Sequence, residues 1–116
     1  MDMPTLINEF WRWCRTECDV ELGKSINVIG KNFNAFDVVF LAANGWNRNL
    51  FKHRAVDVGT MYVVKGDSVL PSLQQCKERA IVEGCQWFDN ALVMHNALDD
   101  AMDVLRLAWW KLNGQS

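Results

Sequence analysis

The chain has 116 residues, of which 50% are hydrophobic and 22% charged, and its net charge is -2 at neutral pH. These values are typical of a globular protein, so we expect residues 1–116 to form a single domain that folds without a metal or a disulfide. The weak negative charge argues against a general binder of polyanions. No cofactor is indicated by the composition.

The chain carries no segment that predicts contact with a membrane. Its longest apolar run, Val38 to Ala43, is far shorter than the roughly 20 residues that a membrane-spanning helix needs. The N-terminus lacks the basic and then apolar pattern of a signal peptide. We therefore expect a cytoplasmic protein with no membrane partner, in which the four cysteines are reduced thiols.

The first helix is predicted from Pro4 to Leu22, because proline suits a first turn and Gly23 supplies an end. Its apolar residues recur every three or four positions on one face, and we expect them to be core: Ile7, Trp11, Cys14, Cys18 and Leu22. Positions two apart on a helix point about 200° apart. Trp13 therefore lies almost opposite Trp11, beyond the edge of this face.

The next elements are a short strand and a second helix. Ser25 to Ile29 is rich in branched residues and predicts a strand. A helix is expected from Ala35 to Asn44, with Asn34 as its N-cap and Gly45 at its end. Its middle, Val38 to Ala43, is apolar all round, so we expect this helix to be part of the core.

The middle of the chain predicts a small β element. Trp46 to Val56 is read as a short helix or an irregular basic loop. Thr60 to Lys65 is the best strand candidate of the sequence. Because Gly66-Asp67 has the chemistry of a tight turn, Val69-Leu70 is expected to return as the second arm of a hairpin. Pro71 then ends the strand and suits the start of a helix.

Residues 71–113 predict one or two long helices. A single apolar stripe, which we expect to be core, runs through them: Leu73, Cys76, Ala80, Gly84, Trp87, Ala91, Met94, Leu98, Met102, Leu105, Trp109 and Leu112. One unbroken helix would be about 63 Å long, far beyond the size of such a domain. We place a break near His95-Asn96, because Asn96 is a good N-cap and puts Asp99 and Asp100 in the first turn. Gly84 is the other candidate hinge.

These elements together predict a mainly α fold. We expect a compact bundle of four to six helices with a short two-stranded β element in the middle, and an α+β fold is the alternative. No internal repeat and no low-complexity segment is present in the sequence.

Three residue patterns suggest chemistry, and each is better explained by structure. Gly23-Lys24-Ser25 matches the tail of a phosphate-binding loop, but the required earlier glycine is Cys18. Cys14 and Cys18 share a helical face, where core thiols are a better reading than zinc ligands. His95, Asp99 and Asp103 are spaced by four and would share a face only on an unbroken helix. We predict no catalytic residue and no metal site, and a metal-dependent enzyme is the weakest alternative.

The segment 46–54 is the most basic stretch of the chain. Residues 24–56 carry five basic side chains against one acidic side chain, a net charge of +4. A solvated basic face is the simplest explanation of segment 46–54. The two functional explanations are an acidic protein partner and a nucleic acid, with contacts from Arg48, Lys52, His53 and Arg54. A helix-turn-helix fits poorly, because Asn44 falls where an apolar residue is expected.

The six tryptophans predict an interaction surface. The apolar stripes account for Trp11, Trp87 and Trp109 as core residues. The stripes leave Trp13, Trp46 and Trp110 unexplained, with Arg106 on the same predicted helix as Trp110. Since tryptophan and arginine are enriched in the energetic centres of protein interfaces, we expect these four residues to contact a protein, with a homodimer as one form of that contact.

The sequence therefore favours a non-enzymatic protein-binding module over an enzyme. We expect a small regulator, inhibitor or adaptor that occludes a surface of its partner. Short chains without catalytic motifs are typical of phage or mobile-element accessory proteins and of toxin-neutralising proteins, an analogy that rests on size alone. A nucleic-acid-binding regulator that uses segment 46–54 is the alternative.

Overall fold

The computed structural model describes residues 2–18, 20, 24–52 and 55–114 of the chain. The described part has five α-helices and one short two-stranded sheet, so the mainly α prediction is confirmed. Backbone contacts divide the chain into two compact units, and the prediction of a single domain stays a prediction. Unit 1 comprises residues 1–28 and 32–55, and unit 2 comprises residues 29–31 and 56–116. Among the described helices, none has the length and apolarity that crossing a membrane requires.

Unit 1 begins with helix α1, Met3–Glu17. The Asp2 side chain caps it by accepting a hydrogen bond from the backbone N–H of Thr5 at 2.9 Å. The helix ends at Glu17, earlier than the predicted end at Leu22, which lies outside the described residues. Cys18 at the C-cap position is exposed, so its assignment to the core was wrong.

The second helical segment of unit 1 starts with a π-helical turn at Phe33–Asp37 and continues as α2, Val38–Ala43. The helical segment therefore starts earlier than predicted, with Asn32 rather than Asn34 before it. Gly45 follows α2 with a φ of 95°, a left-handed conformation that suits the predicted stop. Helix α2 contributes Val38 and Leu41 to the core as expected, but it is covered on one side only, since Val39 and Phe40 are exposed.

The core of unit 1 is built around an indole. Trp46, Val38 and Phe51 are buried, and seven partly buried side chains pack against them: Met3, Ile7, Phe10, Ile26, Val28, Phe33 and Leu41. The Trp46 indole N–H donates to the Met3 sulfur at 3.2 Å. Between Trp46 and Phe51 the chain makes a short 3₁₀ turn, Arg48–Leu50, within the segment predicted as a short helix or an irregular basic loop.

Unit 2 contains the sheet, and its strands are parallel. Strand β1, Ile29–Gly30, pairs with strand β2, Val56–Asp57, with Ile29 opposite Val56. The Asp57 carboxylate then accepts a hydrogen bond from the Gly59 N–H at 2.8 Å and starts helix α3, Val58–Met61. This cap explains why the predicted strand at 60–65 and its hairpin were wrong, because the chain turns helical at the point where the strand was expected. The predicted strand at 25–29 forms only its last residue, Ile29, besides an isolated parallel bridge from Ile26 to Phe51 in unit 1.

Two longer helices complete unit 2. Helix α4, Leu73–Val82, begins with a reciprocal capping box between Ser72 and Gln75. It ends before Gly84, which has a φ of 105°. Helix α5, Ala97–Trp109, begins at Asn96 and continues into a π-helical turn, Trp110–Gly114. The predicted break is confirmed, and the chain uses both candidate hinges, Gly84 and Asn96.

The core of unit 2 joins α3, α4 and α5. Its buried members are Val58, Tyr62, Cys76, Ala80, Cys85, Phe88, Val104 and Leu107. The hydroxyl of Tyr62 donates a hydrogen bond to the Leu107 carbonyl at 2.6 Å, so even the polar atom of this large side chain is satisfied inside. Burial raises the pKa of the Tyr62 hydroxyl, with the nearby Glu83 adding to the effect.

Candidate interaction surface

The inner face of α5 is fixed by a buried ion pair. Lys77 of α4 places its Nζ 2.9 Å from the Asp103 carboxylate and 2.6 Å from the Leu92 carbonyl oxygen, and its ammonium lies 5.2 Å from the centre of the Phe88 ring. Both charged side chains are almost fully buried. Because a charge buried without a partner is costly, this pair holds Asp103 on the inside of α5 and thereby sets the rotation of the helix.

The apolar contacts of α5 agree with that rotation. Val104, Leu107 and Ala108 are buried, and Asp100 and Trp110 are half-buried, all on the same half of the helix as Asp103. Successive residues of an α-helix are about 100° apart, so this half excludes positions 98, 102, 105 and 109. The helix is thus packed on its unit along one face only.

The opposite face of α5 exposes a continuous line of large apolar side chains. This line, here named the α5 stripe, consists of Leu98, Met102, Leu105 and Trp109 of α5 and of Leu112 in the π-helical turn that follows; their exposed fractions are 71%, 38%, 52%, 58% and 69%. The sequence placed these residues in the core, and that prediction was wrong. Their steps of four, three, four and three residues are the a and d spacing of a coiled-coil seam.

The two edges of the α5 stripe differ. Asp99 and Arg106 are exposed along one edge, seven residues apart. Arg106 also pairs within the helix with Asp103, at 3.3 Å, on the side of the carboxylate that Lys77 does not occupy. On the other edge Ala101 is exposed, whereas Ala108 is covered by its own unit. The stripe is therefore flanked by exposed charges on the first edge, where Asp99 and Arg106 also line a pocket with Trp87, Leu92 and Met94.

The burial of the adjacent Trp109 and Trp110 is the reverse of what the sequence predicted. Trp109, predicted to be core, is exposed in the α5 stripe. Trp110, predicted to be an interaction residue, is half-buried against the core of unit 2. Its indole N–H donates to the Glu83 carboxylate at 2.9 Å, and its ring meets the exposed Trp87 edge to face, with centroids 5.7 Å apart. Trp87 was also predicted to be core, so that assignment was wrong as well.

The tryptophans of unit 1 do not form one patch. Trp46, predicted to be an interaction residue, is only 8% exposed and lies in the core. Trp13 is 53% exposed on α1, as predicted, and its ring lies 6.3 Å from that of Phe10. Trp11 is half-buried beside Phe10, in line with its assignment to the covered face. Trp13 therefore remains a candidate by itself, in a different unit from Arg106 and Trp110.

The basic segment is only partly described. Arg48 and Lys52 are exposed, and within the part of the chain that the structure describes neither pairs with an acidic side chain. His53 and Arg54 lie outside the described residues. Trp46 and Phe51, the two aromatic residues of this segment, are both buried, so neither ring is available to stack on a base.

The residues considered for metal binding are separated. His95 has a φ of 53° and precedes α5, while the Asp103 carboxylate is held by Lys77, so the predicted loss of a shared His95–Asp103 face at Asn96 is confirmed. Across residues 2–18, 20, 24–52 and 55–114, no three histidine, cysteine or acidic side chains are grouped to hold a metal ion.

The described cysteines are free thiols, three of them buried. Burial raises the pKa of the Cys14 thiol, and the neighbouring Cys18 adds to the effect. Burial also raises the pKa of Cys76 to about 11, which keeps that thiol protonated and unreactive in the folded protein. The exposed Cys18 is the accessible thiol among them.

Comparisons with protein-family models, with curated proteins and with solved structures found no match to this chain. Its function is therefore inferred from its own surface chemistry.

Proposed function

We propose that the chain is a non-enzymatic protein-binding module, a small regulator, inhibitor or adaptor that docks through the α5 stripe. One observation carries the proposal: five large apolar side chains stand in line at heptad spacing on the face of α5 opposite its core contacts. Single exposed apolar residues are common on protein surfaces, but a continuous apolar line marks a binding surface. A line at steps of three and four is the pattern by which one helix docks on another helix or in a groove.

The inner face of α5 supports this role because it keeps the helix in place. The Lys77–Asp103 pair and the buried Leu107 hold α5 on unit 2 before any partner arrives. A preformed helix loses little conformational entropy on binding, so more of its contact energy appears as affinity. Leu105 lies at the centre of the stripe and Trp109 is its largest side chain, so we expect these two residues to be the anchors that occlude the partner's surface.

Affinity capture with matched variants tests the proposal. Tagged wild-type protein is compared, in lysate of the source organism, with Leu105→Glu, which puts a charge in the centre of the stripe. Val69→Glu is the control, because Val69 is 76% exposed in unit 2 and lies outside the stripe. We expect Val69→Glu to retain the wild-type set of bound proteins and Leu105→Glu to lose it. Equal retention by both variants would exclude the α5 stripe as the docking surface.

A nucleic-acid-binding regulator is the second candidate, favoured by the exposed cations Arg48 and Lys52. Such cations contact phosphates, so binding would weaken as salt rises, with a log–log slope set by the number of contacts. Gel retardation of DNA and RNA by wild type and by Arg48→Ala/Lys52→Ala tests this candidate. A smaller salt slope in the double variant would support it, and no retardation by wild type at low salt would exclude it.

A further inference from the structure

We infer that the occupant of the α5 stripe is the α5 stripe of a second copy of this chain, running antiparallel to the first. The inference rests on the proposed function, since it uses the same surface and names its partner. Three features of α5 carry it: the heptad spacing of the stripe, the opposite charges on one edge, and the covered alanine on the other edge.

The heptad spacing allows an antiparallel register that covers four of the five stripe residues, with Leu112 beyond the overlap. Met102 and Trp109 take the a positions, and Leu98, Leu105 and Leu112 take the d positions. In an antiparallel pair of helices, each a position faces a d position of the other helix. Met102 then lies opposite Leu105 of the second copy, and Leu98 lies opposite Trp109 of the second copy. The two-fold axis of the pair lies between the two helices, at the height of residues 103 and 104. The stripe is therefore self-complementary, as a symmetric dimer requires.

The same register matches the charges along the open edge. Asp99 and Arg106 both take e positions, and in an antiparallel pair the e positions of the two helices face each other. Asp99 therefore lies opposite Arg106 of the second copy, and the two-fold axis repeats the pair. A parallel pair would instead set these e positions against the g positions, which are Ala101 and Ala108, without any ion pair. The charge pattern thus favours the antiparallel arrangement.

The burial along the two edges of the stripe also indicates how a second helix approaches. Ala108 is buried by its own unit, so that edge is obstructed at Ala108, whereas Ala101, Asp99 and Arg106 are exposed. The stripe spans about 21 Å of one helix at 1.5 Å per residue. Such a seam offers less than the roughly 800 Å² per partner of a stable interface, so we expect a reversible dimer with a Kd on the order of 10 µM.

Charge reversal at the two e positions tests the register. Asp99→Arg places two arginines face to face in each e contact, and Arg106→Asp places two aspartates there. We expect each variant alone to dimerise at least about tenfold more weakly than wild type, since two exposed pairs change sign. An equimolar mixture restores both pairs, so it should form a heterodimer within about threefold of wild-type affinity. Sedimentation velocity over a concentration series measures wild type, the two variants and their mixture.

Two controls keep the result interpretable. Circular dichroism checks that each variant keeps its helix content, because Asp99 lies in the first turn of α5 and Arg106 pairs with Asp103. Leu105→Glu should stay monomeric at every concentration, whereas Val69→Glu should dimerise like wild type. A mixture of the two charge variants that associates no better than either alone would overturn the antiparallel register.

Failure of this inference is distinguishable from failure of the proposed function. Wild-type protein that stays monomeric up to roughly 1 mM would overturn the second copy as occupant. If that monomer still captures other proteins, and Leu105→Glu abolishes the capture, the docking surface stands with a different partner. If wild type neither dimerises nor captures any protein through the stripe, both proposals fail.

Discussion

Both faces of α5 carry large apolar side chains, yet only the inner face is covered by its own unit. The inner face holds Leu107, at 0% exposure, and the buried ion pair of Asp103 with Lys77. The outer face holds Leu105 and Trp109, both more than half exposed. Apolar content alone therefore does not decide which side of a helix becomes core. Polar contacts determine which face is buried. The Asp103 carboxylate pairs with the buried ammonium of Lys77, and the Leu107 carbonyl accepts a hydrogen bond from the Tyr62 hydroxyl.

The largest effect is expected from breaking the ion pair of the inner face. Lys77→Met leaves the Asp103 carboxylate buried with only the Arg106 guanidinium at its outer edge. We expect the free energy of unfolding of unit 2 to fall by about 3–5 kcal/mol, as is usual when one partner of a buried pair is removed. Urea denaturation followed by circular dichroism measures the change.

The matched control for this variant removes both charges. Lys77→Met/Asp103→Leu leaves no buried carboxylate, so we expect it to recover most of the lost stability. A double variant as unstable as Lys77→Met alone would show that the pair does not act through mutual neutralisation. The rotation of α5 would then have to depend on its apolar contacts.

Alanine substitution of one leucine on each face of α5 compares how much the two faces contribute to the free energy of unfolding. Leu107→Ala opens a cavity in the core of unit 2, and we expect it to cost about 2–5 kcal/mol of unfolding free energy. Leu105→Ala removes an exposed side chain, and in dilute monomeric protein we expect a change within about 0.5 kcal/mol. Chemical denaturation of both variants at low protein concentration checks this. Similar losses for the two would mean that the outer face is covered within the monomer.

A smaller, pH-dependent effect on stability is expected from Cys76 and Tyr62 in the core of unit 2. The Cys76 thiol has a reference pKa of 9.0, which burial raises to about 11, so the folded state holds its proton longer than the unfolded chain does. Its contribution to stability is therefore fully present below pH 9 and is lost as the pH rises from about 9 to about 11. Tyr62, whose pKa is also raised by burial from 10.0, extends the loss to higher pH.

Thermal unfolding at a series of pH values tests this assignment. Cys76→Ala should remove the part of the decline that begins near pH 9 and leave the part that belongs to Tyr62. If the decline is the same in wild type and in Cys76→Ala, the thiol does not titrate as its burial requires.

The features of α5 that follow from local chemistry could be predicted from the sequence. Asn96 accepts hydrogen bonds from the N–H groups of Leu98 and Asp99, and this cap depends only on residues within one helical turn. The break of the long apolar segment and the two aspartates in the first turn of α5 followed from the same signal. Gly84, the other candidate hinge, takes the left-handed conformation that ends a helix.

The candidate surface could not be predicted, because it depends on distant contacts. The apolar period of α5 indicates the stripe through Leu98 and Leu105 as core, whereas Asp103 meets Lys77, 26 residues away along the chain, on the opposite face. Trp46 is similar, since its burial depends on α1, where Met3 accepts its indole N–H. The strand predicted at 60–65 failed because the cap from Asp57 starts a helix there, and a scan for N-cap residues before Val58 could have found it.

Oxidative footprinting at two protein concentrations tests the central claim most directly. Hydroxyl radicals modify exposed methionine and aromatic side chains, and the chain supplies its own control: Met102 and Trp109 lie in the α5 stripe, while Phe40 is 65% exposed on α2 of unit 1. If the stripe docks on a second copy, Met102 and Trp109 become protected as the concentration rises and Phe40 does not. Equal oxidation of all three residues at both concentrations would contradict the account.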